Sequence, residues 1–112
     1  MKKIEAIVRE EKFPEIRTAL EAAGFIGMTV FDVKGRGVQG GISLRWRVGD
    51  YRIDLLPKKM IMMVVNDHDC QKVTDIISQI SQTGAAGDGK IFITTIDEVI
   101  RIRTAESNEK AI

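Results

Sequence analysis

Three stretches of this sequence hold residue types suited to gripping an anion. Gly35 to Gly41 reads GRGVQGG, Thr83 to Lys90 reads TGAAGDGK, and Arg101 and Arg103 flank an isoleucine in RIRT. Glycines let backbone N–H groups line a concavity and come close to a phosphate or carboxylate. The second stretch ends in a lysine, Lys90, at the entry to an apolar run. The arginines, two apart, share one face of an extended segment and could close on an anion as a guanidinium clamp. Singly, each feature has an ordinary reading: a glycine-rich loop is a turn, and paired strand arginines are solvated edge residues. Together in one small chain they point to anion binding.

The residues of hydrolytic or redox catalysis are missing. The only histidine, His68, falls where a helix should begin and reads as a solvated turn residue. Cys70 falls on an apolar helical stripe and reads as packing. No His/Cys cluster has metal-ligand spacing, and neither GxSxG nor GxxxxGK[ST] occurs. Lys and Arg total 17 against 16 Asp and Glu, so no basic field points to nucleic acid or an anionic membrane. No apolar run approaches the roughly 20 residues of a membrane span. The start, MKKIEAIVREEK, lacks a signal-peptide core, and a single cysteine fits a reducing compartment. One cytoplasmic domain over residues 1–112 is expected.

The elements that must position these residues follow from periodicity. Lys3 to Arg9 alternates as a strand with Ile4, Ala6 and Val8 on one face. Phe13, Ile16, Leu20 and Ala23 form one helical stripe, with Pro14 in the first turn and Gly24 closing the end. Phe25 to Val33 reads as a second strand, and Met60 to Val65 as a third, apolar on both faces. Asn66, Asp67 and Asp69 offer caps for a second helix, whose stripe is Cys70, Val73, Ile76, Ile77 and Ile80 and which Gly84 ends. Lys90 to Thr95 is a fourth strand, Ile100 to Arg103 alternates beyond it, and the tail AESNEK frays. The long segment from Gly35 is either a functional loop or a sign that the elements around it are misread. The order predicts an α+β, ferredoxin-like βαββαβ sandwich, an antiparallel sheet with both helices on one face. Ile7, Met60, Met62 and Val64 then face outward, an apolar surface suited to packing against copies of the chain.

KGRGVQGG, DYRIDLLPK, TGAAGDGKIF and IRIRT together resemble the PII signal-transduction proteins, trimeric sensors of nitrogen and energy status, along essentially the whole chain. The resemblance implies a homotrimer of ferredoxin-like subunits with ATP or ADP in the clefts between them. It implies phosphate contacts from Gly87, Asp88, Gly89, Lys90, Arg101 and Arg103. Thr29 and Val64 would lie on the adenine side, with Gly35, Gly37 and Val38 along the nucleotide. The opening glycine stretch becomes the T-loop, about residues 37–55, beside a B-loop of about 82–90 and a C-terminal loop of about 102–112. Gln39 would hold Mg²⁺ shared with the ATP phosphates and 2-oxoglutarate, hard-cation chemistry for a carbonyl oxygen. Lys58 would pair with a 2-oxoglutarate carboxylate, with Gly40, Gly41 and Gly87 beside it.

The implied activity is non-enzymatic: effector binding selects a T-loop shape that nitrogen-metabolism proteins read, an ammonium transporter or glutamine synthetase and its regulators. A membrane enters only through the transporter. Arg47 matches an arginine that transporter-binding members insert into the channel mouth, and Trp46 makes the arm more apolar than usual. Tyr51 stands where some relatives are uridylylated, and is otherwise an ordinary loop aromatic. Val38 replaces a common Arg or Lys, and Met60 and Met62 replace a common Lys and Glu. Those departures leave open a paralogue that senses mainly ATP against ADP, for nitrogenase or another target, with a weak 2-oxoglutarate response. An acylphosphatase-type hydrolase would need an Arg/Asn phosphate cradle. An RNA binder would need aromatics on the central strands, where Met and Val stand instead.

Overall fold

A computed structural model describes residues 1–37, 42–46, 49–53 and 55–112, the second and third of these segments by backbone pairing alone. The strands are β1 (Lys2–Arg9), β2 (Thr29–Gly35), β3 (Ile42–Trp46), β4 (Gly49–Ile53), β5 (Leu56–Val65) and β6 (Lys90–Thr95). The helices are α1 (Phe13–Ala22) and α2 (Asp67–Ser81), with short 3₁₀ turns at Glu10–Lys12 and Asn108–Ala111. Four strands form one sheet in the order β2-β5-β1-β6, every neighbour antiparallel. With β3 and β4 set apart as a hairpin, this is the expected ferredoxin-like α+β arrangement.

Register explains the core. Ile4 faces Met63 and Ala6 faces Ile61 across β1 and β5, so their side chains share one face, and all four are buried. The helical stripe residues Ile16, Leu20, Val73 and Ile77 close over them. Each such fully buried aliphatic side chain contributes about 1.5–3 kcal/mol. α1 carries Pro14 in its first turn, and Phe25 N–H returns to the Leu20 carbonyl at 2.9 Å to end it. The alternate residues Ile7, Met60, Met62 and Val64 are only partly covered, joined on the same face by Phe31 at 40% exposure and Phe92 at 50%.

Several boundaries differ from the sequence reading. The second strand starts at Thr29, not Phe25, because the turn closing α1 directs Phe25 against the core. α2 ends at Ser81, with Gln82 already extended, three residues before Gly84. Its N-cap Asn66 makes no side-chain cap bond; Asp67 instead takes the Met1 ammonium at 2.9 Å. The long segment after Gly35 contains an antiparallel hairpin pairing Ile42 with Ile53 and Trp46 with Gly49, so it is not structureless. Ile100 forms a single bridge with Ser107 and no strand follows, while the tail is ordered as a 3₁₀ turn rather than frayed.

Candidate functional site

The loop between α2 and β6 is built around one carboxylate. Asp88 accepts the Thr83 and Gly84 backbone N–H groups at 2.8 and 2.9 Å and the Thr83 hydroxyl, and faces Arg9 Nε at 3.3 Å. These donors, the Thr83 hydroxyl foremost, hold the Asp88 carboxyl far below the usual carboxylate range. The Asp88 carboxylate therefore folds the loop. Gly84, Gly87 and Gly89 all have positive φ, and a Cβ on Gly89 would stand 1.8 Å from the Ile7 carbonyl oxygen. Glycine is required there for the loop to lie against β1. Lys90 follows as the first residue of β6, opposite Ile7.

Lys58, in β5, is 8% exposed, and its ammonium donates to the Gly87 carbonyl at 2.6 Å. It makes no ion pair among the described residues. Burial, and secondarily the nearby Arg9 guanidinium, pushes its pKa below 10.5, while Glu11 and Asp88 act in the opposite sense. A covered cation held only by a carbonyl dipole is a costly arrangement that an incoming carboxylate would relieve. Arg9 also donates Nη2 to the Ala86 carbonyl at 2.7 Å. Sequence reasoning passed over Arg9 because nothing in a strand-terminal arginine followed by two glutamates indicates a loop 77 residues away.

Thr29 and Val64 meet at the lining of a separate cavity of about 370 Å³, with Gly27, Met28, Met62 and Asn66. The chain end, Ala111 and Ile112, also borders it. Thr29 is on β2 and Lys90 on β6, the two edges of the sheet, so three strand spacings of about 4.8 Å separate them. Thr29 and Val64 therefore line a cavity that the glycine-loop residues do not border.

Arg101 and Arg103 are not paired on a strand. Ala105 N–H bonds the Arg101 carbonyl at 2.8 Å and Arg101 N–H the Glu106 carbonyl at 2.9 Å, closing a tight turn that leaves Ile102 98% exposed. A strand needs a partner along its length, and here only Ile100 has one. Asn108 latches the turn: its N–H donates to the Val99 carbonyl, and its side-chain oxygen accepts Val99 N–H. Gly35 ends β2 opposite Leu56, and Gly37 follows it outside regular structure. Val38, Gln39, Gly40, Gly41 and Arg47 lie outside the described residues, as do the side chains of Trp46 and Tyr51.

The family model for nitrogen regulatory protein P-II matches residues 1–106. The chain is 58% identical over its full length to "Nitrogen regulatory protein P-II 2" of Methanothermobacter thermautotrophicus, covering 97% of that protein. It is 46% identical to "Nitrogen regulatory protein P-II" of Nostoc punctiforme and 45% to that of Pasteurella multocida, each covered completely along both chains. By family match and by full-length identity, the chain belongs to the nitrogen regulatory protein P-II family.

Proposed function

We propose that this protein is a non-enzymatic cytoplasmic sensor that binds ATP or ADP, takes up 2-oxoglutarate with MgATP, and regulates nitrogen-assimilation targets through the 37–55 arm. The observation that carries the effector reading is the covered Lys58 ammonium against Gly87, with no ion pair among the described residues, a ready counter-ion for a carboxylate. The separation of Thr29 and Val64 from Lys90 supports a nucleotide site shared between copies, and the partly covered apolar sheet face supports a homotrimer packed through it. Gly87, Gly89 and Lys90, with Arg101 and Arg103 from a neighbouring copy, would neutralise the phosphates without a catalytic base. Mg²⁺ would supply electrostatic bridging between phosphates, effector and Gln39. Targets of this chemistry are an ammonium transporter, met through Arg47 and Trp46, or glutamine synthetase and its regulators.

Calorimetric titration of the full protein with ATP, ADP, and 2-oxoglutarate over MgATP tests the reading, beside light scattering for the trimer. Detectable 2-oxoglutarate binding only with MgATP present is the expected result. Binding of both nucleotides with no 2-oxoglutarate response would favour an ATP/ADP sensor. A monomer retaining no adenylate at millimolar levels would refute both.

A further inference from the structure

Among the described residues, the non-glycine positions with left-handed backbone are Ala105 at φ 59° and Asn108 at φ 57°. Both belong to the turn that bears Arg101 and Arg103. Asn108 has a local reason: its side-chain oxygen accepts the Val99 N–H at 3.3 Å, the kind of short-range bond that lets asparagine occupy this region. Ala105 has none, since a methyl group makes no hydrogen bond and a Cβ in this region crowds the following carbonyl oxygen. That crowding disfavours the conformation about fivefold or more relative to glycine.

The surroundings do little to enforce it. Ile102 to Ser107 are all exposed, and no apolar residue of 100–112 joins the core. The turn hangs on the Ala105 N–H to the Arg101 carbonyl, the Arg101 N–H to the Glu106 carbonyl, and the Asn108 latch. The Arg101–Glu106 ion pair inside it spans 4.0 Å between well-exposed side chains. A non-glycine residue keeps such a conformation only where its neighbours over-determine it. Solvent-facing turns with few apolar contacts are also the first to open.

We propose that Ala105 is a positioning residue for Arg101 and Arg103 that sets how tightly this protein holds phosphate-bearing nucleotides. Its left-handed backbone leaves the turn closed in only part of the free population, and a polyphosphate gripped by both guanidiniums closes the rest. The nucleotide role of the arginines rests on the function proposed above; the strained turn does not. Apparent affinity is the intrinsic affinity reduced by the fraction of chains already competent to bind. Alanine at this position therefore weakens ATP and ADP alike, because it acts on the free protein and not on either nucleotide's contacts.

The full-length wild type, Ala105→Gly and Ala105→Val decide this. Glycine relieves the conformation, whereas a β-branched valine aggravates it. Amide exchange at Arg101 and Asn108, whose N–H groups close the turn, reads its population without ligand. Calorimetry with ATP and with ADP reads affinity. In Ala105→Gly both amides should exchange about fivefold more slowly while β1 amides stay unchanged. Both affinities should rise about two- to fivefold, by a common factor. Ala105→Val should move every readout the other way. A merely structural role does not make a glycine substitution tighten binding. Slower exchange with unchanged affinities would overturn the affinity role, and so would a gain confined to one nucleotide. Equal exchange in all three proteins would overturn the strained turn itself. A wild-type protein that binds no adenylate refutes the function proposed above and the affinity role with it, while exchange still judges the turn.

Discussion

Gly89→Ala probes whether the glycine loop must lie against β1 to present Lys90. Gly89 has φ +104°, and an added Cβ would stand 1.8 Å from the Ile7 carbonyl oxygen and 2.9 Å from its carbon. Carbon and oxygen ordinarily approach to about 3.3 Å, so something must move by more than an ångström. The obstacle is backbone, and Ile7 is held on both sides, facing Met60 and Lys90. The variant must therefore pull the start of β6 away and open the Lys90–Ile7 pairing. Forcing a side chain into that φ costs about 1–3 kcal/mol, and the unmade ladder bonds add about 1–3 kcal/mol. Gly84→Ala is the matched control: φ is +85°, but nothing lies within 4 Å of its Cβ, so only the conformational cost applies.

Urea unfolding of both variants at one protein concentration reads the difference, since an assembling protein's midpoint depends on concentration. Gly89→Ala should fall below Gly84→Ala by about 1–3 kcal/mol, a sizeable part of the roughly 5–15 kcal/mol that holds an ordinary domain together. ATP affinity should fall with it, about tenfold or more if Lys90 is displaced. Equal stability of the two alanine variants would refute the reasoning, because it would mean that the loop has room to stand off β1.

Three further outcomes follow from the site. Asp88 titrates far below its ordinary range, so the stability it lends the loop is present above the unfolded value of about 3.9. That stability is lost only as pH falls through the folded value: exchange at Thr83 and Gly84 should stay slow at pH 4, and Asp88→Asn should make it fast at pH 7. Lys58→Met exchanges a covered cation, without an ion pair among the described residues, for an apolar chain of similar length; thermal stability should hold or rise while 2-oxoglutarate binding is lost. Because the Lys58 pKa is lowered in the fold, the unfolded chain binds the extra proton up to 10.5. Wild-type stability should thus climb with pH through that window, and the variant should lack the climb. Asn108→Ala removes the side-chain acceptor for Val99 N–H at a position with φ +57°, and should speed exchange at Val99 and Arg101 and weaken ATP.

The sheet and helices were legible because their residues repeat at the right period. The alternation of Ile4, Ala6 and Val8 and the helical stripe of Val73 and Ile77 are the buried positions of the fold. The hairpin was not, because ISLRW and GDYRI are five-residue strands beside glycines, too short for alternation to stand out from a loop. RIRT alternates like a strand, yet alternation says nothing about a partner, and a turn closed by Asn108 and Ser107 wins. The glycines of TGAAGDGK announced a backbone cradle, but which groups fill it depends on the register that sets Arg9 opposite Lys58, and register is a property of two distant segments.

That register also limits how a signal could pass from the loop to the arm. Lys58 faces Arg9 on one side and Val33 on the other, two residues inside the point where Gly35 and Leu56 close the ladder. If an effector withdraws the Lys58 ammonium from Gly87, β5 cannot answer by sliding. A one-residue slip would turn Ile61, Met63 and Val65 out of the core, and burying each contributes about 1.5–3 kcal/mol. A carboxylate's differential affinity, typically about 1–3 kcal/mol of coupling, cannot meet that cost. On the proposed reading, binding therefore acts only where the ladder ends, on residues beyond Gly35 and before Leu56, by changing which contacts Lys58 and the 83–88 loop offer them. On that reading, the fixed register of β5 confines any response to the arm.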